Sequence, residues 1–388
     1  MDQRMAIDNP AAAWNAAIAG LVTLGVAVGI GRFVYTPILP LMVEALGWSR
    51  FTAGLVASAN FAGYLAGALF AAGKLPGSRR GWLLGALVVS AATTAAMGSV
   101  HVVPAFLALR FAGGVASAMA LIVASAVVME RLAQAGRAEL SSVLFAGVGC
   151  GIAVSASLVS GLRVAGTDWG ALWWASGGLS LLGAIAVAML LPGDGPQGAE
   201  VRSGRPAGEA RGLLPLVVAY GLFGFGYVIT ATFLVAIVRG SAALRPVEPV
   251  VWIVFGLAAV PSIAVWVRVS QGVGLSRGYA LACLLEAVGV AVSVAWRSMA
   301  GVFLASVLVG GTFMGLTALG LMRGRLFGGS DATRVLAAMT SAFGVGQIVG
   351  PSFAGALYDR IGSFGVPSAV AAGALVLAAV LTGGQGRD

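Results

Sequence analysis

Twelve stretches of about 20 or more mostly apolar residues follow one another along this chain of 388 residues. About 20 consecutive apolar residues are enough for an α-helix to cross the hydrocarbon core of a bilayer. Backbone groups in lipid must find partners within the segment, and a barrel strand would alternate polar and apolar residues, so each stretch predicts a membrane-spanning helix. The stretches run roughly over 13–42, 51–73, 81–100, 104–128, 141–164, 169–191, 212–238, 250–270, 278–296, 299–322, 335–357 and 364–382. The sequence therefore predicts an all-α membrane protein with 12 transmembrane helices.

The composition argues against most soluble functions. Hydrophobic residues make up 59% of the chain and charged residues 10%, against about a quarter charged in soluble proteins. The net charge of +9 comes from arginines in short connections rather than from a basic face, which argues against a nucleic-acid partner. Cys150 and Cys283 lie inside apolar stretches and His101 is the single histidine, so we expect no metal site, no cofactor and no catalytic nucleophile. We expect no enzyme, because the spans carry no paired carboxylates or histidine cluster, and no sensor, because no connection is long enough for an output domain.

A polar stretch rich in Gly, Pro and charges divides the spans into six and six, which is typical of a flexible linker. We predict an N-terminal six-helix bundle over 1–192, a cytoplasmic linker over 193–211 and a C-terminal six-helix bundle over 212–388.

Arginine and lysine are distributed unevenly between the two sides of the predicted helices. With both termini in the cytoplasm, 15 of the 23 basic residues face the cytoplasm and 6 face outward, while Arg32 and Arg110 remain inside spans. Short cytoplasmic loops carry an excess of Lys and Arg, so we expect a multi-pass protein of a bacterial-type inner membrane with both termini cytoplasmic. The first ten residues lack the apolar core and cleavage site of a secretory signal, and the first span is expected to be retained.

The two halves can be aligned as an internal repeat. Residues from Val28 align with those from Phe223 at a shift of 195, and "RFAGG" from Arg110 aligns with "VLVGG" from Val307 at a shift of 197. "GVG" at Gly147 matches "GVG" at 344, again at a shift of 197. Six spans per repeat with both termini inside make the halves parallel, related by an axis along the membrane normal, with binding near the midplane between them.

Several motifs together resemble the major facilitator superfamily over the whole chain. "LALRFAGGVASA" from Leu107 resembles its fourth-span arginine motif, with Arg110 in the arginine place, and "AAGKLPGSRRG" from Ala71 resembles its basic loop without the usual aspartate. The fifth span has the glycines of the antiporter motif without its proline, which the eleventh span carries at Pro351. "GRFVYTPILP" together with "FGVGQIVGP" is most similar to the YbfB/YjiJ branch. The resemblance implies the two-bundle fold, with spans one, four, seven and ten lining the cavity.

Arg32 interrupts the first apolar span, and an arginine in the membrane interior normally faces water or a partner. Tyr35 and Thr36 follow at i+3 and i+4 and are predicted to share its helix face, where the three side chains could hold a carboxylate. Arg110 lies at a similar predicted depth in the fourth span and could point into the same chamber. The alternatives are that Arg32 caps carbonyls where Pro37 breaks the helix, or snorkels to headgroups, and that the role of Arg110 is conformational.

Further polar residues complete the predicted substrate site. Asn60 and Tyr64 in the second span could line the cavity or bond to a neighbouring helix. Tyr227 occupies the repeat position of Arg32 and is the main candidate from the second half, joined by Gln347. Glu286 is a candidate for proton binding, with a neutral or arginine-paired residue near the inner interface as the alternative.

Two further predictions concern packing and the outer ends of the spans. Gly346, Gly350 and Pro351 form a predicted hinge, alongside a role in close packing. Glu44 is expected to be solvated or to pair with Arg50.

The residues together predict a secondary transporter that moves a small organic solute, in first place an organic anion, by rocker-switch alternating access. No Walker loop is present, so an ion gradient or the solute gradient must supply the energy. The alternative is proton-coupled efflux of amphiphilic drugs or toxic metabolites. The expected partners are a small-molecule substrate, a co-transported proton in one version and the lipid bilayer, with a monomer as the functional unit.

Overall fold

A computed structural model describes residues 10–73, 75–191, 193, 213–328 and 332–383, so the predicted linker lies, apart from Gly193, outside the described residues. The described chain is helical throughout its apolar stretches. The helices are α1 (Pro10–Leu24), α2 (Tyr35–Leu46), α3 (Arg50–Ala71), α4 (Arg79–Ala96), α5 (Val103–Gln134), α6 (Ser141–Val164), α7 (Trp169–Leu190), α8 (Leu213–Arg239), α9 (Glu248–Ala259), α10 (Ser262–Val273), α11 (Leu275–Ala295), α12 (Met299–Gly328), α13 (Ala332–Ile361) and α14 (Gly365–Gly383).

The number of crossings agrees with the sequence prediction. Within the described ranges, eleven segments are long and apolar enough to cross a membrane, the first of them running from Ala11 through α1 and α2 to Leu46. The pair α9 and α10 supplies a twelfth crossing and is bent by 46° at its break. Pro261 lies at this break, where its missing N–H and its ring disrupt the helical ladder. The predicted 12-helix membrane fold is confirmed.

The first crossing is irregular in its middle. A π-helical segment, Gly25–Ile30, follows α1, and residues 31–34 form turns before α2 begins. Pro37 lies in the first turn of α2 and cannot donate a backbone hydrogen bond to the preceding turn. The carbonyl groups near residue 32 are therefore left to find donors outside their own helix.

Glycines set the closest helix crossings. A Cβ on Gly63 of α3 would lie 1.9 Å from the carbonyl oxygen of Phe111 of α5, so only glycine allows the two helices to pack this closely. In the first half, Gly147 of α6 approaches α1 with its hypothetical Cβ 2.1 Å from the Leu21 carbonyl oxygen. In the second half, Gly346 of α13 approaches α8 in the same way, 2.2 Å from the Gly221 carbonyl oxygen. The fifth span thus packs on the first as the eleventh packs on the seventh.

Helices α1 to α7 form one bundle and α8 to α14 form the other. Between the bundles, α3 packs on α13, α6 on α9 and α2 on α8. An even number of crossings places the start of α1 and the end of α14 on the same face of the protein, which we call the proximal face. The distal face carries the connection between α2 and α3.

Candidate functional site

Arg32 lies in a cage of aromatic rings on the inner side of the first bundle. Its guanidinium carbon is 4.0 Å from the ring centroid of Tyr64, 5.1 Å from that of Phe61 and 5.9 Å from that of Phe33. Arg32 is 6% exposed. A guanidinium that stacks on aromatic faces gains cation–π attraction, which offsets part of the cost of removing the charge from water. The structure therefore brings Tyr64, one of the predicted site residues, to Arg32.

The hydrogen bonds of Arg32 are incomplete. Its Nε and Nη2 atoms are both buried and have no hydrogen-bond partner among the described residues. These two N–H groups point in parallel from the same edge of the guanidinium plane, which is the edge that binds both oxygens of a carboxylate. Each buried donor without an acceptor costs roughly 1–3 kcal/mol. An acceptor with two oxygens would remove both penalties at once.

Arg110 forms hydrogen bonds with the irregular part of the first crossing. Its Nη1 donates to the Gly31 carbonyl at 2.9 Å and its Nη2 donates to the Arg32 carbonyl at 3.1 Å. Arg110 is 4% exposed, and its guanidinium also lies 5.1 Å from the ring centroid of Tyr35. The capping of freed carbonyls, which the sequence suggested as an alternative for Arg32, is thus performed by Arg110. Arg110 holds the backbone segment that carries Arg32.

Tyr35 and Thr36 make contacts within the protein rather than with the Arg32 guanidinium. The Tyr35 hydroxyl donates to the Ala53 carbonyl at 2.8 Å, and the Thr36 hydroxyl donates to the Ala231 carbonyl of the other bundle at 2.7 Å. The regular i+3 and i+4 spacing behind the shared-face prediction does not apply, because the ladder is interrupted at residues 31–34.

Asn60 supports Arg110 from the second span. The Asn60 side-chain nitrogen donates to the Arg110 carbonyl at 2.9 Å. Of the two interpretations that the sequence left open for Asn60, the bond to a neighbouring helix is the one observed.

The second bundle faces Arg32 with a wall of rings. Tyr227 of α8 bonds to the Gln347 amide of α13, so the structure joins the two predicted second-half residues. The charge of Arg32 lies close enough to Tyr227 to interact with its phenol. The Tyr227 ring is stacked against Phe313 at 5.7 Å and against Phe343 at 6.0 Å. A cation from one bundle therefore lies near an aromatic surface from the other.

Aromatic contacts connect the cage to this wall. Phe33 meets Phe313 edge-on at 6.0 Å, so the rings around Arg32 continue into the second bundle. Phe343 extends the wall to Tyr220 at 5.0 Å and to Phe223 at 5.3 Å. We call the eight rings the aromatic belt: Phe33, Phe61, Tyr64, Tyr220, Phe223, Tyr227, Phe313 and Phe343.

Glu286 lies near the middle of α11 rather than near a membrane interface, within electrostatic reach of Tyr227 in the belt. It is 0% exposed, and neither carboxyl oxygen has a hydrogen-bond partner in the part of the chain that the structure describes. Thr312 of α12 is adjacent, but its hydroxyl donates to the Leu308 carbonyl at 2.7 Å. Across the described ranges, no group of three His, Cys, Asp or Glu side chains could hold a metal ion.

The predicted hinge residues lie in a continuous helix. Gly350 packs against α8, where a Cβ would lie 2.6 Å from Val228, and α13 runs through Pro351 without interruption. The close-packing role of these glycines is observed. Pro351 also contacts the other bundle, because a Cβ on Gly54 of α3 would lie 2.2 Å from its carbonyl oxygen. Hinge motion at Gly346, Gly350 and Pro351 stays a prediction.

Ion pairs tie the bundles together at the distal face. Arg239 donates from Nε and Nη2 to both carboxylate oxygens of Glu44, at 2.6 and 2.5 Å, and from Nη1 to Glu248 at 2.9 Å. Arg163 of the first bundle donates to the same Glu248 oxygen at 2.6 Å. We call Glu44, Arg239, Glu248 and Arg163 the distal latch. The predicted pairing of Glu44 with Arg50 is wrong, because Arg239 occupies both oxygens.

The backbone at the start of α3 is held by the second bundle as well. The two oxygens of Asp359 accept the backbone N–H groups of Arg50 and Phe51, each at 2.9 Å. An acidic side chain at a helix N-terminus satisfies free N–H groups and the helix dipole. The distal face is therefore closed by both side-chain and backbone contacts.

The internal repeat carries a signal for the latch that the predicted site residues do not include. Glu44 and Arg239 are 195 residues apart, which is the shift that aligns the first and seventh spans. Thr36 and Ala231, which bond across the interface, have the same separation. Equivalent positions near a pseudo-two-fold axis face each other, so opposite charges at that shift indicate a contact.

Solved structures of membrane transporters resemble this fold. A point mutant of the nucleoside transporter NupG superposes with a TM-score of 0.72 at 12% identity, covering 94% of this chain and 98% of the other. NupG itself gives 0.68 at 14% identity, with coverage of 95% and 98%. A bacterial homologue of the human lysosomal transporter Spinster, in an inward-facing and unoccupied conformation, gives 0.65 at 13% identity, with coverage of 97% and 95%. These similarities confirm the fold of the major facilitator superfamily, with two bundles of six crossings.

No curated protein sequence matches this chain. Residues 24–383 match the family MFS_4, described as uncharacterised MFS-type transporter YbfB, and the chain therefore belongs to this family of membrane transporters.

Proposed function

We propose that this transporter carries a small organic anion across a bacterial inner membrane by rocking its two bundles about Arg32 and the aromatic belt. The chain works as a monomer with both termini in the cytoplasm, so the distal face is the outer face. The latch closes the path from that side, and the cargo exchanges with the cytoplasm in this state. The chain binds and moves its cargo without changing it chemically, which makes it a carrier and not an enzyme.

The observation that carries this proposal is the unpartnered edge of Arg32. A guanidinium keeps its charge at any physiological pH, so its two buried donors need an acceptor in every state of the protein. The described part of the chain supplies none to Nε and Nη2. A carboxylate supplies two oxygens at the spacing of these donors and neutralises the charge.

Arg32→Gln is expected to weaken binding of benzoate, lactate or succinate, whichever of these probes stabilises the wild-type protein, at least about tenfold. The substitution removes the charge and the parallel donor pair, and tenfold in Kd corresponds to about 1.4 kcal/mol. The measurement is thermal unfolding of the full chain in nanodiscs over a range of probe concentrations. Arg32→Lys serves as the matched control, because it keeps the positive charge without the two parallel N–H donors. Its affinity for the probe should lie between those of the wild type and Arg32→Gln. Wild-type affinity in Arg32→Gln would remove Arg32 from the site.

Glu286 is the group we propose for proton coupling. A buried carboxylate ion without a partner costs several kcal/mol, so the site suits a carboxyl that carries a proton through the cycle. Tyr279 and Cys283 on the same helix, Thr312 and Tyr227 lie within electrostatic reach of Glu286, and the cation Arg323 of α12 lies within reach of Tyr279 and Cys283.

Glu286→Gln is expected to abolish the acceleration of anion flux by a pH gradient in liposomes. The amide mimics the protonated carboxyl and cannot release a proton, while the Arg32 site stays intact. The Kd of the anion probe should therefore remain within about twofold of wild type, a difference of less than about 0.5 kcal/mol. Gradient dependence equal to that of wild type in the variant would exclude Glu286 as the coupling group.

Efflux of amphiphilic compounds is the second candidate function, and one observation favours it. A groove of about 770 Å³ opens between α3, α4 and α5. Phe70, Trp82, Phe111 and Met119 are among its lining residues. Because Gly85 on its wall has open space where a Cβ would point, Gly85→Leu would place a side chain in the groove without a clash at its Cβ. Loss of ethidium efflux in Gly85→Leu, with unchanged carboxylate binding, would favour this function over anion transport.

A further inference from the structure

We infer that the anion carried at Arg32 is an aromatic carboxylate, a single carboxylate group on a flat ring with few other polar groups. This inference rests on the proposed function, because it assigns the carboxylate to the unpartnered edge of Arg32. The side chains around that edge determine the chemical character of the rest of the transported anion.

Three aromatic rings lie close to the Arg32 guanidinium. Tyr64, Phe61 and Phe33 surround the guanidinium within the first bundle. Phe313 continues the surface into the second bundle through its edge contact with Phe33. A carboxylate bound to Nε and Nη2 would therefore lie beside these rings.

The second-bundle part of the belt favours a planar body. The rings of Tyr227, Phe313 and Phe343 are nearly parallel, with angles of 13° and 7° between their planes. Aromatic rings attract one another in offset or edge-to-face arrangements beyond the area they bury. A planar π-system can extend such an array, whereas a puckered aliphatic ring of the same size buries area without the quadrupole attraction.

The same surface disfavours sugars and nucleosides. Each buried hydroxyl or base edge needs its own hydrogen-bond partner, and burial without one is costly. In the described part of the wall, the Gln347 amide already bonds to Tyr227 and leaves Oε1 as its unpartnered atom. One such acceptor suits a ligand with a single additional donor rather than one with many hydroxyls.

The test compares benzoate, cyclohexanecarboxylate, benzamide and uridine on the full chain in nanodiscs, by thermal shift and by competition for bound radiolabelled benzoate. We expect benzoate to bind about two- to tenfold more tightly than cyclohexanecarboxylate, although the latter is at least as apolar. Benzamide keeps the ring without the charge, and uridine carries several hydroxyls, so neither should bind. Equal affinity for the two carboxylates would overturn the aromatic inference and leave the anion proposal standing. Binding of benzamide equal to benzoate, or no carboxylate binding at all, would overturn the anion proposal itself.

Ring-removal variants locate the preference within the belt. Phe313→Leu removes the ring that touches both Phe33 and Tyr227, and should bring the affinities for benzoate and cyclohexanecarboxylate within about twofold. Phe364→Leu is the matched control, because this ring packs on Phe233 and Tyr358 away from the belt. If Phe313→Leu fails to fold, Phe343→Leu tests the neighbouring ring. An unchanged preference in the belt variant that folds would overturn the aromatic inference.

Discussion

Replacing Arg110 with methionine is expected to disable binding at Arg32, although Arg110 does not itself meet the cargo. The substitution leaves the carbonyls of Gly31 and Arg32 without their donors, and each unpartnered buried carbonyl costs roughly 1–3 kcal/mol. The interrupted ladder does not bond the Arg32 carbonyl, because the Thr36 N–H, which would reach it in a regular helix, donates to the Phe33 carbonyl at 3.2 Å. Pro37, which would otherwise bond the Phe33 carbonyl, has no N–H. The segment that carries Arg32 should shift or become mobile, and the Kd of the carboxylate probe should rise at least about tenfold.

The measurement for Arg110 combines thermal unfolding with probe binding per folded protein. Arg80→Met is the matched control, because Arg80 also donates to two carbonyls, those of Leu191 at 2.6 Å and Ala188 at 2.9 Å, far from Arg32. Both variants should lose stability, but only Arg110→Met should lose affinity. Arg110→Lys should recover part of the lost probe affinity, since an ammonium group can bond one of the two carbonyls but lacks the second nitrogen donor of a guanidinium. Full affinity in a folded Arg110→Met would mean that Arg110 stabilises the bundle without positioning Arg32.

The architecture could be predicted from the sequence because lipid leaves the backbone little choice. A span of about 20 apolar residues must be helical, whatever its neighbours are. Tyr64 and Arg32 could be placed together by similar reasoning, since a buried cation needs a polar or aromatic partner. Tyr227 and Gln347 were both predicted as site residues of the second half, but their bond to each other was not.

The details that depend on a local departure from the ideal helix could not be predicted. The positions of Tyr35 and Thr36 were derived from regular helical spacing, and the π-helical segment with its following turns removes that regularity. The role of Arg110 follows from the same departure, because a continuous helix would have kept its own carbonyls bonded. The aromatic belt draws its rings from both halves of the chain, and no local pattern relates positions so far apart.

The distal latch could have been predicted from the repeat, since Glu44 and Arg239 occupy equivalent positions. Sequence reasoning expected Glu44 to be solvated or to pair with Arg50, which is close along the chain. The two-fold relation brings Arg239 closer in space than proximity along the chain suggests. Charged residues separated by the repeat shift are thus more informative predictors of contacts near the pseudo-two-fold axis than charged residues that are close along the sequence.

Arg239→Gln is expected to open the distal face more often than any other single change in the latch. Arg239 is 19% exposed and joins two carboxylates, one of which, on Glu248, is only 6% exposed. Removing one partner of a largely buried ion pair leaves a charge that is poorly solvated. Glu248 keeps Arg163 as its remaining partner, so the loss is partial, and we expect about a tenfold rise in the open population, equivalent to about 1.4 kcal/mol.

Glu44→Gln should have a smaller effect than Arg239→Gln. The Glu44 side chain is 59% exposed, and exposed ion pairs contribute about 0–1 kcal/mol. The Arg239–Glu248 and Arg163–Glu248 pairs remain in this variant. Raised salt should reduce the difference in open population between Glu44→Gln and the wild type, because salt screens the exposed Glu44–Arg239 pair in the wild type.

Cysteine labelling measures the opening directly. In a Cys150→Ala/Cys283→Ala background, Ala231→Cys places a thiol at a position that is 1% exposed at the bundle interface, beneath the latch. An impermeant maleimide added at the distal side should label this thiol about ten times faster in Arg239→Gln, in proportion to the open population. Arg297→Gln removes a distal arginine that follows α11 and donates to the Val294 carbonyl of that helix. Its thiol should be labelled at the rate of the protein that keeps all its arginines. Equal labelling of the Arg239→Gln and Arg297→Gln proteins would show that the ion pairs do not hold the distal face closed, and the closure would then rest on the Asp359 cap and the packing of α3 on α13.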